Sequence, residues 1–475
     1  MSQRVQSAAC VRVARLVCVA VGISMAAACA VGPDYQRPKV DFAANYKEVG
    51  DWKPSEPSDA FSRGPWWEVY KDDAFNQLEV RIDISNENVK AAAAAFAQAR
   101  ALVAQARAGY WPTVGVSAGR QRGSAAGGPT LTTDGAAVSG NWDLDIWGRI
   151  RRSTESNRAS AQASAAALAA ARLSAQAALA IDYFELRAQD QLQKLLDDTV
   201  VAEQLSLQIA ESRYKFGVAA RADVVSAQAQ LLSSQAQQVN AKIQRAVLEH
   251  AVAVLIGQQP AQFSLSASSM RTDVPTVPSG IPSTLLERRP DVAEAERKVA
   301  AANAQIGVAK AAYFPSLTLS GSDDYSAHAW SHLFSLPNRV WSLGPQLAET
   351  LIDGGLRRAQ VAQARAAYDI SVDNYRQTVL TGFQQVEDQI VTLRVLEQQA
   401  VIEDAAIAAA REAEKLTLNQ YKAGTVPYSS VISAQTARLS AEQTALAVLS
   451  SRLQSSVALI EAIGGGWDAS QMPLP

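Results

Sequence analysis

Hydrophobic and polar positions change period in a fixed order, and the order occurs twice. Val114 and Val116 alternate with Thr113, Gly115 and Ser117, as Leu317 and Leu319 alternate with Thr318 and Ser320. A period of two predicts a strand at each place. Each strand follows a predicted helix of about 23 residues, Glu87 to Gly109 and Asp291 to Ala312, that ends before an aromatic-proline pair unsuited to continued helix. Pro290 stands where a helix-opening proline is expected. Turn-rich segments, Gln121 to Gly135 and Asp323 to Asn338, lead to second strands at Ala136 to Ile146 and Val340 to Ile352.

Very long helices follow. Ile150 to Phe216 contains neither proline nor glycine, and at 1.5 Å per residue its about 67 residues span roughly 100 Å. Leu356 to Ala423 repeats the feature with one interior glycine, Gly382. Gly217 and Gly424 then turn the chain into helices of about 36 residues, Arg221 to Ile256 and Tyr428 to Ile463. Leu446, Leu449, Leu453, Val457, Ile460 and Ile463 keep three-and-four spacing, the mark of a helix seam.

The recurrence is a duplication. Tyr110-Trp111-Pro112 answers to Tyr313-Phe314-Pro315 at an offset of 203, and Gly148 to Arg152 answers to Gly354 to Arg358. Tyr214-Lys215-Phe216-Gly217 answers to Tyr421-Lys422-Ala423-Gly424 at an offset of 207. Landmarks kept in register indicate a repeated unit of about 200 residues. The boundaries read as a leader over 1–28, an N-terminal segment over 29–85, a first repeat over 86–257, a linker over 258–288, a second repeat over 289–464 and a tail over 465–475. In each repeat the two shorter helices together match the long one in length, so stacked end to end they can run beside it. Four strands cannot close in lipid, because their edges would expose unpaired backbone groups. Membrane insertion therefore requires several copies, whereas soluble hairpins would not.

Composition adds two points. Tracts such as Ala159 to Ala171 are dominated by alanine, a strong helix former too small to fill a thick core, so the helices suit thin walls or an alanine-rich coiled coil. Lys plus Arg 44 against Asp plus Glu 46 gives no basic surface for nucleic acid. Arg4, Arg12 and Arg15 precede an apolar run, Leu16 to Ala28, too short to span a membrane. Ala26-Ala27-Ala28-Cys29 is either a lipobox that makes Cys29 an acylated first residue or an ordinary cleavage site. Cys10 and Cys18 lie in the leader, so the mature chain has no disulfide framework.

Enzyme chemistry finds few candidates. His328 and His332 have metal-pair spacing, but they fall in a predicted loop without the glutamate of an H-E-x-x-H site, and His250 lies alone on a helix. No glycine-rich phosphate loop is present, so neither a cofactor nor a metal is expected and energy must come from a partner.

Val31-Gly32-Pro33-Asp34-Tyr35-Gln36-Arg37-Pro38, Trp66-Trp67 and Leu285 to Val292, set in this duplicated frame, resemble the TolC/OprM outer-membrane efflux family in its NodT-like lipoprotein branch. The resemblance implies a mostly helical, internally duplicated homotrimer. Its twelve-stranded β-barrel in outer-membrane lipid would continue into a twelve-helix periplasmic α-barrel with a mixed equatorial region. The implied role is the passive exit duct for small molecules such as drugs, fed by an inner-membrane RND-type transporter through a periplasmic adaptor. A type I protein-secretion duct of the same fold and a pore-less periplasmic scaffold are the competing readings. The resemblance also places adaptor contacts at the tip turns Gly217-Val218 and Gly424-Thr425, and a resting gate at the helix tips with Asp223 and Tyr421 as cross-linking partners. Val426 stands where relatives have a basic residue, and Ser430 and Ser433 stand where some carry an acidic ring, so no carboxylate filter is expected there. For Asp223 the helix dipole is an equally good explanation.

Overall fold

The computed structural model describes residues 30–40, 46–49, 65–124, 127–275 and 288–467. The leader, Cys29, Leu285-Leu286-Glu287 and residues 468–475 lie outside the described residues. Seven helices and four strands carry the described architecture: α1 (Asp73–Ser85), α2 (Glu87–Ala108), β1 (Thr113–Gly123), β2 (Leu131–Leu144), α3 (Arg149–Lys215), α4 (Arg221–Leu255), α5 (Pro290–Ala311), β3 (Ser316–Ala327), β4 (Arg339–Ala348), α6 (Leu356–Ala423) and α7 (Tyr428–Ala462).

The expected end-to-end stacking is present in both repeats. The C-terminus of α4 meets the start of α2, where the Asn86 amide donates to the Leu255 carbonyl at 2.7 Å and its oxygen accepts from the Val89 N–H at 3.0 Å. One side chain thus caps two helices, since both termini have unsatisfied backbone groups. In the second repeat Arg289, buried beside the start of α5, donates to the Ala462 carbonyl at the end of α7 at 2.8 Å. These composite staves run beside α3 and α6, which have 67 and 68 residues. At 1.5 Å per residue each long helix extends roughly 100 Å.

Because the wall is thin, the largest block of bulky packing is gathered at its middle. Trp66, Tyr70, Phe75, Tyr183 and Phe184 form a cluster of ring contacts, with Phe75 stacked on Tyr183 at 5.1 Å. Leu453, Val457 and Ile460 from the predicted seam of α7 are buried in the same core. The helix α1, unanticipated in the N-terminal segment, is held there by Asp72, whose carboxylate caps the Ala74 and Phe75 N–H groups and accepts from the Tyr183 hydroxyl at 2.7 Å. An N-terminal strap is fixed by buried Arg152, which binds Asp34 at 2.8 Å and the Val31 and Gly32 carbonyls.

The strands form one antiparallel sheet in the order β1-β2-β3-β4. Its register sorts the side chains into two contrasting faces. Val114, Val116, Val138, Trp142, Leu317, Leu319, Trp341, Leu343 and Leu347 share one face. Thr113, Ser117, Thr133, Ser139, Asn141, Thr318, Ser320, Ser322, Asp324 and Ser342 share the other. Strands with an apolar outward face and a polar inward face are the pattern of a membrane barrel wall.

The strands reach further into the turn segments than their hydropathy predicts. β1 continues to Gly123, β2 begins at Leu131 and β3 continues to Ala327, while β4 ends at Ala348 rather than Ile352. Charged residues there had the look of a loop. They are paired instead: Arg120 grips Asp134 through two hydrogen bonds at 2.6 and 3.0 Å, and Arg339 grips Asp323 through two at 2.8 Å. Bidentate pairing neutralises both members across the strand pair, so strand geometry survives a polar sequence.

Candidate functional site at the helix-hairpin tips

The two tip turns are built alike. In the first, the Gly217 N–H donates to the Tyr214 carbonyl at 2.9 Å and the Val218 N–H to the Arg213 carbonyl at 2.9 Å. In the second, the Gly424 N–H donates to the Tyr421 carbonyl at 2.9 Å and the Thr425 N–H to the Gln420 carbonyl at 3.1 Å. These paired bonds close a helix end through a left-handed residue, and Gly217 and Gly424 supply it at φ 75° and 79°. Thr425 adds a side-chain bond to the Gln420 carbonyl at 3.0 Å, whereas Val218 is exposed. Asp223 and Ser430 occupy matching positions in the first turns of α4 and α7, with N–H groups bonded to the Ala220 and Pro427 carbonyls at 3.1 Å.

The tips pack on each other through side chains that differ between the copies. Tyr421 is 2% exposed, while its counterpart Tyr214 is 45% exposed, so only one of the pair sits in the contact. Around Tyr421 lie Tyr428, with ring centroids 5.1 Å apart, and the Arg213 guanidinium, 4.9 Å from the ring centre. Arg213 also donates to the Lys422 carbonyl at 2.5 Å, tying the end of α3 to the end of α6. Ala210, Ala227 and Val431 complete the buried cluster, with Val426 partly buried beside it.

Burial raises the Tyr421 hydroxyl above the ordinary tyrosine range, and the nearby negative charge of Asp223 raises it further, while Arg213 opposes the shift. The phenol is therefore a neutral donor at physiological pH. Its hydroxyl makes no hydrogen bond of normal geometry to any described residue. Asp223 bears on Tyr421 electrostatically across the two tips.

Residues 81–258 and 281–465 match the family described as outer membrane efflux protein. The chain belongs to the outer membrane efflux protein family. Among curated relatives of this efflux protein, the antibiotic efflux pump outer membrane protein ArpC of Pseudomonas putida is 30% identical over 464 residues, covering 95% of this chain and 96% of ArpC. Nodulation protein T of Rhizobium leguminosarum is 29% identical, covering 94% of this chain and 92% of its own length. Among solved structures, the outer-membrane channel OprN superposes with a TM-score of 0.85 at 30% identity, covering 92% of this chain and all of OprN. The efflux protein is thus an outer-membrane channel component with a helical extension into the periplasm.

Not all of the anticipated tip residues meet. Tyr421 stands at the tip contact with Asp223 beside it, but Ser433 is exposed and bonds only to the Ser429 carbonyl of its own helix at 3.1 Å. Gly217 and Val218 lie at the free end of the first hairpin, with Phe216 beside them 80% exposed. The residue that sequence reasoning missed is Arg213. It supplies from the first tip the guanidinium that the second tip lacks at Val426. Its place opposite Gln420 is one of several charge differences between the copies near the turn, with Arg221 opposite Tyr428 and Asp223 opposite Ser430, so that difference alone does not single it out. Further along the α3–α7 seam the contact is polar: Gln435 donates to Ser206 at 3.0 Å and Arg438 to Thr199 at 3.4 Å, while Arg438 also pairs with Glu414 of α6 at 2.6 Å and Glu442 of its own helix at 2.7 Å. Of the histidines, His328 places Nδ1 3.2 Å from the Thr132 carbonyl and His250 faces outward from α4.

Proposed function

We propose that three copies of this efflux protein close into one twelve-stranded, twelve-helix exit duct. It would receive small molecules from an inner-membrane RND-type transporter through a periplasmic adaptor, without a cofactor and without catalysing a reaction. The observation that carries the reading is the sheet, which has one polar face, one apolar face and two unpaired edges at β1 and β4. Each unpaired backbone group in hydrocarbon costs several kcal/mol, so the edges must pair with other copies. Two copies would give eight strands, a barrel whose interior is filled by side chains or one small ligand, while three give twelve strands and a wider interior suited to a continuous passage, the number that the family resemblance also implies.

The helices support the same closure. Val225, Leu232 and Val239 repeat every seven residues along α4 and are all more than half exposed, as are Val395, Ile402 and Leu416 on α6. Within one copy, α3 packs against α7. The duplication makes α6 and the next copy's α4 the equivalent pair, and those exposed stripes are the surfaces it would bury.

The tips would form the entrance, with Tyr421, Arg213 and Asp223 holding the second hairpin against the first at rest. Gly217-Val218 and Gly424-Thr425 would present the turns to the adaptor. Ser430 and Ser433 give that entrance no carboxylate ring, so selection falls to the transporter. Small-molecule cargo is supported by the antibiotic pump to which ArpC is assigned by name. Cells lacking the chain should accumulate amphiphilic dyes and antibiotics that complemented cells expel. Unchanged accumulation together with loss of a secreted protein would overturn the reading in favour of protein secretion.

A further inference from the structure

The two hairpin connections at the end of the sheet away from the helices differ in chemistry. Residues 124–130 contain only Ser, Ala, Gly, Pro and Thr, whereas residues 328–338 carry Trp330, Leu333, Phe334 and Leu336. The second connection folds against the apolar side of the sheet. Its Phe334 ring lies 5.4 Å from that of Tyr325, a residue of the apolar face, and Leu333 is wholly buried while neighbouring Ala327 is nearly so. Trp330, Phe334 and Leu336 nevertheless remain 55%, 68% and 79% exposed, continuing the exposed apolar surface of Trp341 and Leu343.

The connection is also prepared to leave water. The His332, Leu333, Ser335 and Asn338 N–H groups all bond to carbonyls within it, and the Asn338 amide donates to the His332 carbonyl at 2.7 Å and Ser335 Oγ at 2.9 Å. Satisfied backbone groups remove the main cost of leaving water. Its level is set by its neighbours: Arg120, Arg122, Asp134, Asp323 and Arg339 share the apolar face at this end of the sheet. Charges on a lipid-facing wall are tolerated at the headgroup level and not at mid-depth.

We propose that residues 328–338 form an interfacial wedge whose Trp330, Phe334 and Leu336 are seated in the outer leaflet at the boundary between headgroups and acyl chains. The occupant of this surface is the lipid itself. The inference rests on the reading that the apolar face of the sheet meets lipid, and the wedge makes the second hairpin an anchor that the first is not.

Spin labels on single cysteines in the full-length protein, reconstituted in phospholipid vesicles, test both claims separately. Leu336→Cys reports the wedge, Leu343→Cys the lipid-facing wall and Ser139→Cys the polar face, with the unsubstituted protein labelled in parallel as the blank. The ratio of collisions with oxygen to collisions with a water-soluble nickel chelate should be at least about threefold higher for Leu336→Cys than for Ser139→Cys, and below that of Leu343→Cys, as an interfacial depth requires. Nickel access at Leu336→Cys equal to that at Ser139→Cys would overturn the wedge, as would shielding from both reagents, which would place the segment against another copy. Nickel access at Leu343→Cys would instead overturn the membrane reading of the sheet.

Discussion

Replacing Arg213 with alanine should loosen the resting tip without unfolding the wall. Two contacts are lost. The guanidinium lies 4.9 Å from the centre of the Tyr421 ring, a contact worth about 0.5–1 kcal/mol where solvent has access. Its hydrogen bond to the Lys422 carbonyl is charge-assisted but exposed, so about 1 kcal/mol is the appropriate scale. Together they come to about 1.5–2 kcal/mol per copy, or roughly a 10- to 30-fold shift between docked and undocked tips. The helix keeps its turn, because the bonds that close it are made by backbone groups of residues 213, 214, 217 and 218. Single-channel recording of the purified protein in a planar bilayer should show a larger resting conductance for Arg213→Ala and an intermediate one for Arg213→Lys, which keeps the charge but not the flat fork. Resting conductance unchanged in Arg213→Ala, with the variant folded by circular dichroism, would refute the latch.

Further outcomes follow from the same geometry. Tyr421→Phe combined with Asp223→Ala should raise resting conductance less than Tyr421→Ala, which also removes the ring packed on Tyr428; equal effects would place the latch in the hydroxyl rather than in packing. Gly424→Ala should cost more than Gly217→Ala in thermal unfolding: both pay about 1 kcal/mol for a left-handed backbone, but only at Gly424 would a Cβ crowd the Arg213 guanidinium, at 3.3 Å. Val395→Asp with Ile402→Asp should leave the chain monomeric by native mass spectrometry, since buried carboxylates on that seam would be unpaired; an intact trimer would locate the interface elsewhere. Glu79 is wholly buried with neither carboxylate oxygen bonded, and burial, aided by Asp83, pushes its carboxyl up to about 9. Raised above its unfolded value, the group contributes stability that is full below about pH 4.5 and declines toward pH 9. Glu79→Gln should therefore raise the melting temperature at pH 8 and leave it unchanged near pH 4, and a lower melting temperature at pH 8 would contradict this.

Much of the frame was legible because punctuation in the sequence is physical. Tyr110-Trp111-Pro112 and Tyr313-Phe314-Pro315 stop their helices where proline forbids continuation, and Gly217 and Gly424 stand where the turn demands a positive φ. Long proline-free alanine runs could be nothing but helix, and their lengths implied the stacking that Asn86 and Arg289 now fasten. Strand ends were less legible: Arg120, Asp134, Asp323 and Arg339 look like loop residues until the register shows each arginine gripping its aspartate. At the tip, Tyr421 and Asp223 could be named only through the family resemblance. Arg213 could not, because it acts on the other hairpin, and proximity between hairpins is a tertiary fact with no trace in local spacing. The burial of Tyr421 and exposure of Tyr214 belong to the same class, since the two occupy identical positions in their copies.

The most direct test of the central claim is the conductance of the purified full-length protein carrying Tyr421→Ala and Arg213→Ala in a planar lipid bilayer. A ring of three copies, held shut at its tips, predicts stable single-channel steps in the variant that are well above those of the unsubstituted protein. Absence of channel steps from both proteins, each shown to be folded and inserted, would contradict the duct.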